Sequence, residues 1–255
     1  MLESFPDKCV DAVISDFPFG ITNAKRDVAP PLDRLWPLLH RLSRGVVVTT
    51  ATQPFTSKCV MTNLANFRFE IVWRKNRGSG FLNCNRQVMP EHNSILVFCE
   101  HAKYVWNPQM EGRRGTGVDV VGRKLTWVSN SESYRKLDPR TGNLIAELRV
   151  PSSVQDFDIE VGIHPHQKPV SLGRWLVKSF TNPGNLVLDP YCGCGSFCLA
   201  AQLEGRHFIG IDIQERWVEA ARKRVAEPFF PELASSTVEQ PGEPEQNEQS
   251  GLPLD

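Results

Sequence analysis

The chain has 255 residues, of which 40% are hydrophobic and 23% are charged. This length suffices for one large α/β domain or two small ones, and either could bury a substantial core. The sequence holds no run of about 18 apolar residues, so it predicts no membrane-spanning helix and no membrane partner. The polar N-terminus predicts no signal peptide, and the seven unevenly spaced cysteines argue against a disulfide framework. We therefore expect a cytoplasmic protein.

The formal net charge is zero, but the charges are unevenly distributed along the chain. Residues 226–255 contain seven acidic residues and neither Lys nor Arg, so the rest of the chain carries a net charge of +7. Because this terminal segment is also rich in Pro, Gln and Ser and poor in apolar residues, we predict an acidic, disordered tail over 226–255. The basic remainder, 1–225, favours a polyanionic partner.

Short apolar runs typical of buried strands alternate with helical patterns over the first hundred residues. The predicted strands cover residues 11–16, 45–50, 69–74 and 94–99. The predicted helices cover residues 32–42 and 54–65. Such alternation predicts an α/β fold, in which a mostly parallel sheet carries helices on both faces.

The regular pattern is lost between residues 74 and 151 and returns after them. This middle segment contains 13 Lys or Arg residues, seven Asp or Glu residues, two tryptophans and two tyrosines. The strand at 94–99 still belongs to the predicted sheet, and we interpret about 101–155 as a basic insertion. Beyond it, the sequence predicts a helix through 172–180, a strand at 186–189, a helix at 196–203, a strand at 207–213 and a final helix through 217–225.

The strongest local signal is a glycine-containing loop between a strand and a helix. It reads Asp189-Pro190-Tyr191-Cys192-Gly193-Cys194-Gly195-Ser196, and the next strand leads to Asp212. Glycines at such a turn let the backbone approach a ligand, and an acid after the next strand is where nucleotide-binding folds bind ribose hydroxyls. The loop lacks the third glycine of the dinucleotide fingerprint, which disfavours NAD. The glycines alone are equally compatible with an ordinary tight turn.

Two further motifs are less specific on their own. Asp16-Phe17-Pro18-Phe19-Gly20 ends the first predicted strand, so its acid and aromatic residues are expected at the crevice where such sheets bind ligands. His164-Pro165-His166-Gln167-Lys168-Pro169 precedes a predicted helix. Taken singly, the first motif is compatible with a strand-ending turn and the second with a helix entry.

Together, these motifs resemble those of the β group of amino-group DNA methyltransferases. The segment 16–19 resembles that family's D-P-P-Y catalytic motif. Four later segments resemble the half of the family's sequence that binds the cofactor, at residues 164–169, 181–184, 188–195 and 208–212. The catalytic motif comes first, which is the permuted order of the β group. Segments of the middle region resemble adenine methylases of bacteria and their phages, at residues 73–75, 95–98 and 107–110. The resemblance covers about residues 4–225 and implies a Rossmann-like methyltransferase fold over 1–225.

The resemblance also implies a reaction, the site-specific transfer of a methyl group from S-adenosylmethionine (SAM) to adenine N6 in double-stranded DNA, as in restriction-modification systems. In this reaction, the Asp16 carboxylate and the Phe17 carbonyl would accept hydrogen bonds from the two N–H groups of the adenine amine. Phe19 would stack on a base flipped from the duplex, and Pro18 completes the motif. An acid rather than Ser at the first motif position favours adenine over cytosine N4.

A SAM site and a target-recognition region are implied in the same way. The residues expected to form the SAM site are Asp189, Pro190, Gly193, Gly195, Asp212, Gln167, Lys168 and Pro169. Among them, Asp189 would contact the methionine end of SAM and Asp212 the ribose. The basic insertion, about 101–155, would be the target-recognition region, with Lys and Arg on DNA phosphates.

The chain departs from the family pattern in three places. Phe17 replaces the first Pro of D-P-P-Y, which keeps the carbonyl but loses a rigid φ, and Phe19 replaces Tyr. Relatives often carry a short strand that ends in an acid ahead of the catalytic strand, and this sequence has only residues 1–8 there. We therefore expect either a sheet that lacks this strand or a sequence whose start lies after it. The alternatives are a catalytically impaired relative that binds DNA or SAM, or another acceptor, namely cytosine N4, RNA or a protein amide.

Three cysteines near the glycine loop raise the question of a zinc site. The spacing of Cys192, Cys194 and Cys198 is C-x-C-x3-C rather than C-x2-C, and two of them lie in the loop expected to hold SAM. We therefore predict buried thiols and no metal. The sequence leaves the oligomeric state open, a homodimer included.

Overall fold

The computed structural model describes residues 2–22, 27–112, 148–164 and 166–226. Most of the predicted insertion (101–155) and the predicted tail beyond Ala226 lie outside these residues, so both stay predictions. Met1–Val225 forms one compact unit, and a second unit begins at Ala226. Among the described helices, none is long and apolar enough to cross a membrane.

Seven strands form one mixed sheet in the described part of the chain. In chain order, the strands within the described ranges are β1 (Ala12–Ser15), β2 (Val47–Ala51), β3 (Phe67–Arg74), β4 (His92–Phe98), β5 (Glu111–Gly112), β6 (Leu148–Arg149), β7 (Val154–Asp156), β8 (Leu186–Asp189) and β9 (His207–Gly210). β5 and β6 pair with each other, and the sheet of the other seven has the order β7-β3-β4-β2-β1-β8-β9. β4 is antiparallel to both of its neighbours, and all other neighbouring pairs are parallel. The predicted mostly parallel sheet is confirmed.

Helices cover both faces of the sheet. They are α1 (Leu32–Leu42), α2 (Phe55–Thr62), α3 (Val170–Phe180), α4 (Ser196–Leu203) and α5 (Glu215–Ala226). Because successive side chains of a strand point to opposite faces, β1 contributes to two separate cores. Val13 packs with Leu39 of α1, whereas Ile14 packs with Leu176 of α3 and Phe197 of α4. The α/β architecture expected from the sequence is therefore the one observed.

The connections of the sheet create a crevice between β1 and β8. These strands are adjacent and parallel, with Val13 paired to Leu188. From β1 the chain crosses to β2 on one side, and from β8 it crosses to β9 on the other side. Ligands of open α/β sheets bind at the carboxyl ends of strands whose connections diverge in this way. Asp16 directly follows β1 and Asp189 ends β8, so the two predicted motifs meet at this crevice.

Candidate active site

The hydroxyl of Ser15 joins the two strands that border the crevice. It donates a hydrogen bond of 2.6 Å to Oδ1 of Asp189, which also accepts the Tyr191 N–H at 3.2 Å. Asp189 is buried, and burial raises the pKa of its carboxyl group to about 7. Pro190 is buried as well. The acid expected at the methionine end of SAM is thus held rigidly between β1 and the loop after β8.

Two donors hold the carboxylate of Asp16, the predicted catalytic acid. The hydroxyl of Thr50 on β2 contacts one carboxylate oxygen, and the ammonium group of Lys168 contacts the other. Thr50 and Lys168 are buried, whereas Asp16 is partly exposed. Each oxygen of an ionised carboxylate has two lone pairs, so a ligand can still donate a hydrogen bond to Asp16.

Lys168 lies closer to the catalytic motif than the sequence suggested. We expected it at the border of the SAM pocket, which stays a prediction; its Nζ contacts Asp16 and lies 5.7 Å from the centroid of the Phe19 ring. The Phe19 ring is half-buried beside Phe55, with 5.5 Å between the ring centroids. One face of the predicted catalytic motif is therefore formed by a residue of the later motif at 164–169.

The side chain of Phe17 belongs to the hydrophobic core. It is only 1% exposed and packs edge-on against Trp36 of α1 and Tyr191 of the glycine loop, with ring centroids 5.9 and 5.5 Å apart. Pro18 next to it is half-buried. The rigidity that a proline ring would give the backbone at this position is thus replaced by an aromatic anchor beneath the loop.

A single carboxylate fixes the backbone at the end of the predicted catalytic motif. Asp27 accepts hydrogen bonds from the backbone N–H groups of Gly20, Ile21 and Thr22, at 2.8, 3.0 and 2.7 Å. Gly20 has a φ of +69°, which is a conformation that favours glycine. Sequence reasoning did not identify Asp27, although an acid a few residues beyond a glycine turn is a common backbone anchor.

The two glycines of the predicted SAM loop have different surroundings. Both have positive φ, +50° at Gly193 and +78° at Gly195. A Cβ atom on Gly195 would lie 2.8 Å from the Cβ of Ala221, so this glycine is required for the packing of α5. A Cβ atom on Gly193 would meet nothing within 4 Å, so only this glycine faces open space that a ligand could occupy.

Asp212 follows the neighbouring strand β9 and closes the glycine loop from that side. Its Oδ2 accepts the N–H of Gly193 at 3.1 Å, and its Oδ1 accepts the N–H of Gln214 at 2.8 Å. Each carboxylate oxygen keeps a further lone pair, which leaves Asp212 able to accept hydroxyl donors such as those of a ribose. The residue expected at the ribose is therefore fixed directly beside the open face of Gly193.

The motif at 164–169 folds around the side chain of Gln167. Its Oε1 accepts the N–H groups of Ile163 and His164, at 3.0 and 3.2 Å, so this amide stabilises a turn of its own segment. Pro169 is the residue before α3, and the first N–H of that helix, at Val170, donates to Glu160 at 2.7 Å. Gln167 and Pro169 thus shape the segment that carries Lys168 to Asp16.

A partly buried arginine, Arg224, ties this segment to the helices behind the loop. Nη2 of Arg224 lies 3.4 Å from the second carboxylate oxygen of Glu160, and its Nη1 donates to the Ser196 hydroxyl at 3.0 Å. The pair joins the start of α3 to the start of α4 and to α5. Sequence reasoning missed both charges, because a Glu and an Arg 64 residues apart carry no local signal.

The three cysteines near the loop are buried thiols. Cys192, Cys194 and Cys198 are all free, and burial raises the pKa of the Cys194 thiol. Gly210 of β9 packs so tightly here that a Cβ atom would lie 2.6 Å from the sulfur of Cys198. Among the residues that the structure describes, no group of three or more Cys, His, Asp or Glu side chains could hold a metal ion.

Comparison with known families assigns the class of protein. Residues 43–223 match the model of the DNA methylase family known as N6_N4_Mtase, so the chain belongs to that family. The family suggested by the motifs of the sequence is confirmed.

Two curated proteins of Escherichia coli strain K12 are similar in sequence. The chain is 26% identical over 251 residues to YhdJ, named a DNA adenine methyltransferase, and the match covers 88% of this chain and 79% of YhdJ. It is 46% identical over 63 residues to YubD, which is named as a methylase, and this match covers 25% of the chain and 28% of YubD. The chain thus spans little more than a quarter of YubD in this comparison.

Two solved structures share the fold. The complex of M1.HpyAVI with SAM superimposes with a TM-score of 0.53 at 22% identity, covering 86% of this chain and 89% of that chain. The cytosine-N4-specific PvuII DNA methyltransferase superimposes with a TM-score of 0.62 at 15% identity, covering 91% of this chain and 85% of that chain. The predicted Rossmann-like methyltransferase fold is therefore confirmed.

Proposed function

We propose that the protein transfers a methyl group from SAM to the N6 amino group of adenine in double-stranded DNA. The observation that carries this proposal is the Asp16 carboxylate, fixed by Thr50 and Lys168 beside the Phe19 ring, at the crevice that also holds the glycine loop. Membership of the DNA methylase family supports the reaction class. A cytoplasmic location and a homodimer stay predictions, as does the association with phages.

The residues of the crevice fit SAM. The open face of Gly193 leaves space for a ligand, and Asp212 beside it retains lone pairs for the hydroxyls of a ribose. The buried Asp189 closes the same loop on the β1 side. SAM, when bound, supplies an electrophilic methyl group on a sulfonium sulfur. That the neighbouring M1.HpyAVI structure is a SAM complex agrees with this assignment.

The catalytic motif would act by positioning the amine. An exocyclic amino group is a poor nucleophile, because its lone pair is delocalised into the base. Asp16 and the backbone carbonyl of Phe17 could accept hydrogen bonds from its two N–H groups and so free the lone pair for attack. The new N–C bond would form as the S–C bond of the sulfonium breaks, S-adenosylhomocysteine would leave, and the amine would lose one proton to Asp16 or to water. Phe19 offers a ring face on which the extruded base can stack. Lys168 and Thr50 hold Asp16 in one orientation during this step.

The choice of adenine is the finer part of the proposal. It is supported by the acid at the first position of the motif and by the name of YhdJ, a DNA adenine methyltransferase. The fold by itself is compatible with either acceptor, since the PvuII enzyme is specific for cytosine N4. The test must therefore identify the methylated base.

The experiment uses SAM with a labelled methyl group and a pool of duplexes of mixed sequence. Digestion of the DNA to deoxynucleosides should yield N6-methyl-2′-deoxyadenosine, and N4-methyl-2′-deoxycytidine in its place would overturn the adenine assignment. Asp16→Asn should lower the rate at least about a hundredfold, because this group acts where charge develops, while the affinity for SAM is retained. Asp33→Asn, on the exposed face of α1, is the matched control. DNA binding without methyl transfer by the wild type would favour the impaired relative.

A further inference from the structure

The hairpin of β3 and β4 extends beyond the sheet as an ordered projection. Backbone pairing continues past the strands, from the N–H of Lys75 to the carbonyl of Glu91 at 2.7 Å and from Ser79 to Pro90 at 3.1 Å. Residues 80–89, here called the hairpin tip, are all exposed. The tip is held by its own turns, including the bond from the Asn83 N–H to the Gly80 carbonyl at 2.9 Å.

The hairpin tip presents large apolar side chains to solvent. Phe81 is 73% exposed, Leu82 is 96% exposed and Val88 is 87% exposed. Scattered apolar residues are normal on a protein surface, but adjacent ones at the end of a projection typically mark a contact site. Phe81 and Leu82 are consecutive and lie in a single turn of 3₁₀ helix, Phe81–Asn83.

The charge of the same segment identifies the kind of partner. Residues 71–90 contain four basic residues and no Asp or Glu. Arg74 forms an ion pair with Asp156, whereas Arg77 and Arg86 are exposed on either side of the apolar turn. Glu70 and Glu91 flank this range, so the hairpin carries a net positive charge, which attracts a polyanion and disfavours a second copy of itself. The combination of cations with an apolar turn fits a nucleic-acid duplex.

The hairpin tip rises from the edge of the sheet where the candidate active site lies. β3 and β1 run in the same direction with β4 and β2 between them, so the two strands are three strand spacings, roughly 14 Å, apart. The register places Ser15 of β1 level with Glu70 of β3, so β3 continues past the end of β1 at that edge. Lys75, at the base of the hairpin, has its pKa lowered by burial and by the charge of Lys168. The base of the hairpin is thus an electrostatic neighbour of the residue that contacts Asp16.

We propose that the hairpin tip binds the DNA duplex beside the target base and that Phe81 and Leu82 insert into the base stack. Apolar wedges of this kind unstack base steps, and here they would occupy the space left by the extruded base. Arg77 and Arg86 would contact the flanking phosphates. This inference rests on the proposed function, since a wedge has this use only if a base leaves the helix.

The main test compares the double variant F81S/L82S with the wild type on two substrates. On a fully paired duplex, the variant should lose at least about tenfold in kcat/KM, because it no longer stabilises the extruded state. On a duplex with an abasic site opposite the target adenine, the loss should shrink to less than about threefold, because an unpaired base leaves the stack more easily. SAM affinity and melting temperature should stay at the wild-type values, since both residues are exposed.

The matched control is the double variant M61S/L64S. Met61 and Leu64 are also exposed apolar residues, but they precede β3 and so lie at the opposite edge of the sheet. This variant should methylate both substrates like the wild type. The double variant R77A/R86A tests the contribution of the charges. In a plot of the logarithm of the DNA-binding constant against the logarithm of the salt concentration, its slope should be smaller in magnitude by about 2.

Three outcomes would overturn the inference. The first is wild-type kcat/KM for F81S/L82S on the paired duplex, and the second is an equal loss on both substrates. The third is a change from dimer to monomer in F81S/L82S, seen by sedimentation, which would make the tip a contact between copies of the chain. Failure of the proposed function is a separate result: the wild type would then methylate neither substrate, whatever the state of the tip.

Discussion

The ammonium group of Lys168 contacts the carboxylate of Asp16, although the two residues are 152 positions apart in the chain. The lysine comes from the segment before α3 and the acid from the loop after β1. Because Lys168 is buried and Asp16 is partly exposed, the lysine is fixed and the acid is the reachable partner. Lys168 is accordingly a positioning residue for the proposed reaction.

Replacing Lys168 with Met should reduce turnover much more than SAM binding. The carboxylate of Asp16 loses one of its two anchors, and misplacement of a catalytic group commonly costs about a hundredfold in rate. We expect kcat to fall at least tenfold, roughly, with the affinity for SAM changed less than about threefold, and Lys168→Arg to restore part of kcat. Single-turnover methyl transfer and calorimetric titration measure the two quantities. Lys58→Met, at an exposed position of α2, is the control. A loss confined to SAM affinity would contradict the positioning role and favour a role of Lys168 in the cofactor pocket alone.

The buried ring of Phe17 makes the family-like substitution unfavourable here. Phe17→Pro restores the second residue of D-P-P-Y but removes a ring packed between Trp36 and Tyr191, so the free energy of unfolding should fall by roughly 3 kcal/mol. Phe17→Leu keeps most of the apolar volume and should cost about 1 kcal/mol. Urea unfolding compares the two variants. Wild-type stability in Phe17→Pro would mean that the core closes around the smaller ring.

Comparing two glycines of positive φ, Gly193 and Gly184, distinguishes an effect on SAM binding from an effect on backbone conformation alone. Gly193 and Gly184 both have positive φ, and a Cβ atom would meet nothing within 4 Å at either position. Each Gly→Ala change should therefore cost roughly 1–2 kcal/mol of stability. Only Gly193→Ala should weaken SAM binding, because Gly184 precedes β8 at the far edge of the sheet. Titration with SAM distinguishes them, and equal affinities in the two variants would remove Gly193 from the SAM site.

The buried carboxyl of Asp189 should leave a signature in the pH dependence of stability. Its pKa is raised from 3.8 to about 7, so the folded protein holds this proton more tightly than the unfolded chain. The contribution of Asp189 is therefore complete below pH 3.8, and it declines as the pH rises to about 7. Asp189→Asn removes this titration, so the stability of the wild type relative to the variant should fall across that interval. Urea unfolding at several pH values measures it, and parallel curves would contradict the raised pKa.

The meeting of Asp16 and Asp189 could be predicted from the sequence because both residues terminate apolar strands. Parallel strands bring their carboxyl ends to one edge, and the order of the motifs placed both acids there. The contact with Lys168 could not be predicted, since it depends on how the segment before α3 folds over the sheet. Gln167 and Glu160 set that path through backbone hydrogen bonds that have no pattern in the sequence.

The role of Phe17 and the difference between the two loop glycines were also beyond the sequence. Comparison with the D-P-P-Y motif shows only that Phe17 stands in place of a proline. The apolar pocket around the Phe17 ring is formed by Trp36 of α1 and Tyr191 of the glycine loop. Gly193 and Gly195 are equivalent in a G-x-G pattern, and only the position of Ala221 on α5 distinguishes them. Such roles depend on neighbours distant in the chain, which is why local patterns miss them.

The hydrogen bond between Ser15 and Asp189 has a consequence for the construction of chimaeras within the family. Because the motif order is permuted, Ser15 and Asp189 lie in different halves of the chain. A chimaera of two relatives joined within residues 101–155 would therefore take the donor, Ser15, from one parent and the acceptor, Asp189, from the other. A recipient half with Ala in place of Ser15 would leave a buried carboxyl group with one partner fewer, at a cost of about 1–3 kcal/mol. Hybrids that change DNA specificity by swapping segments should therefore retain residues 15 and 189 as a matched pair.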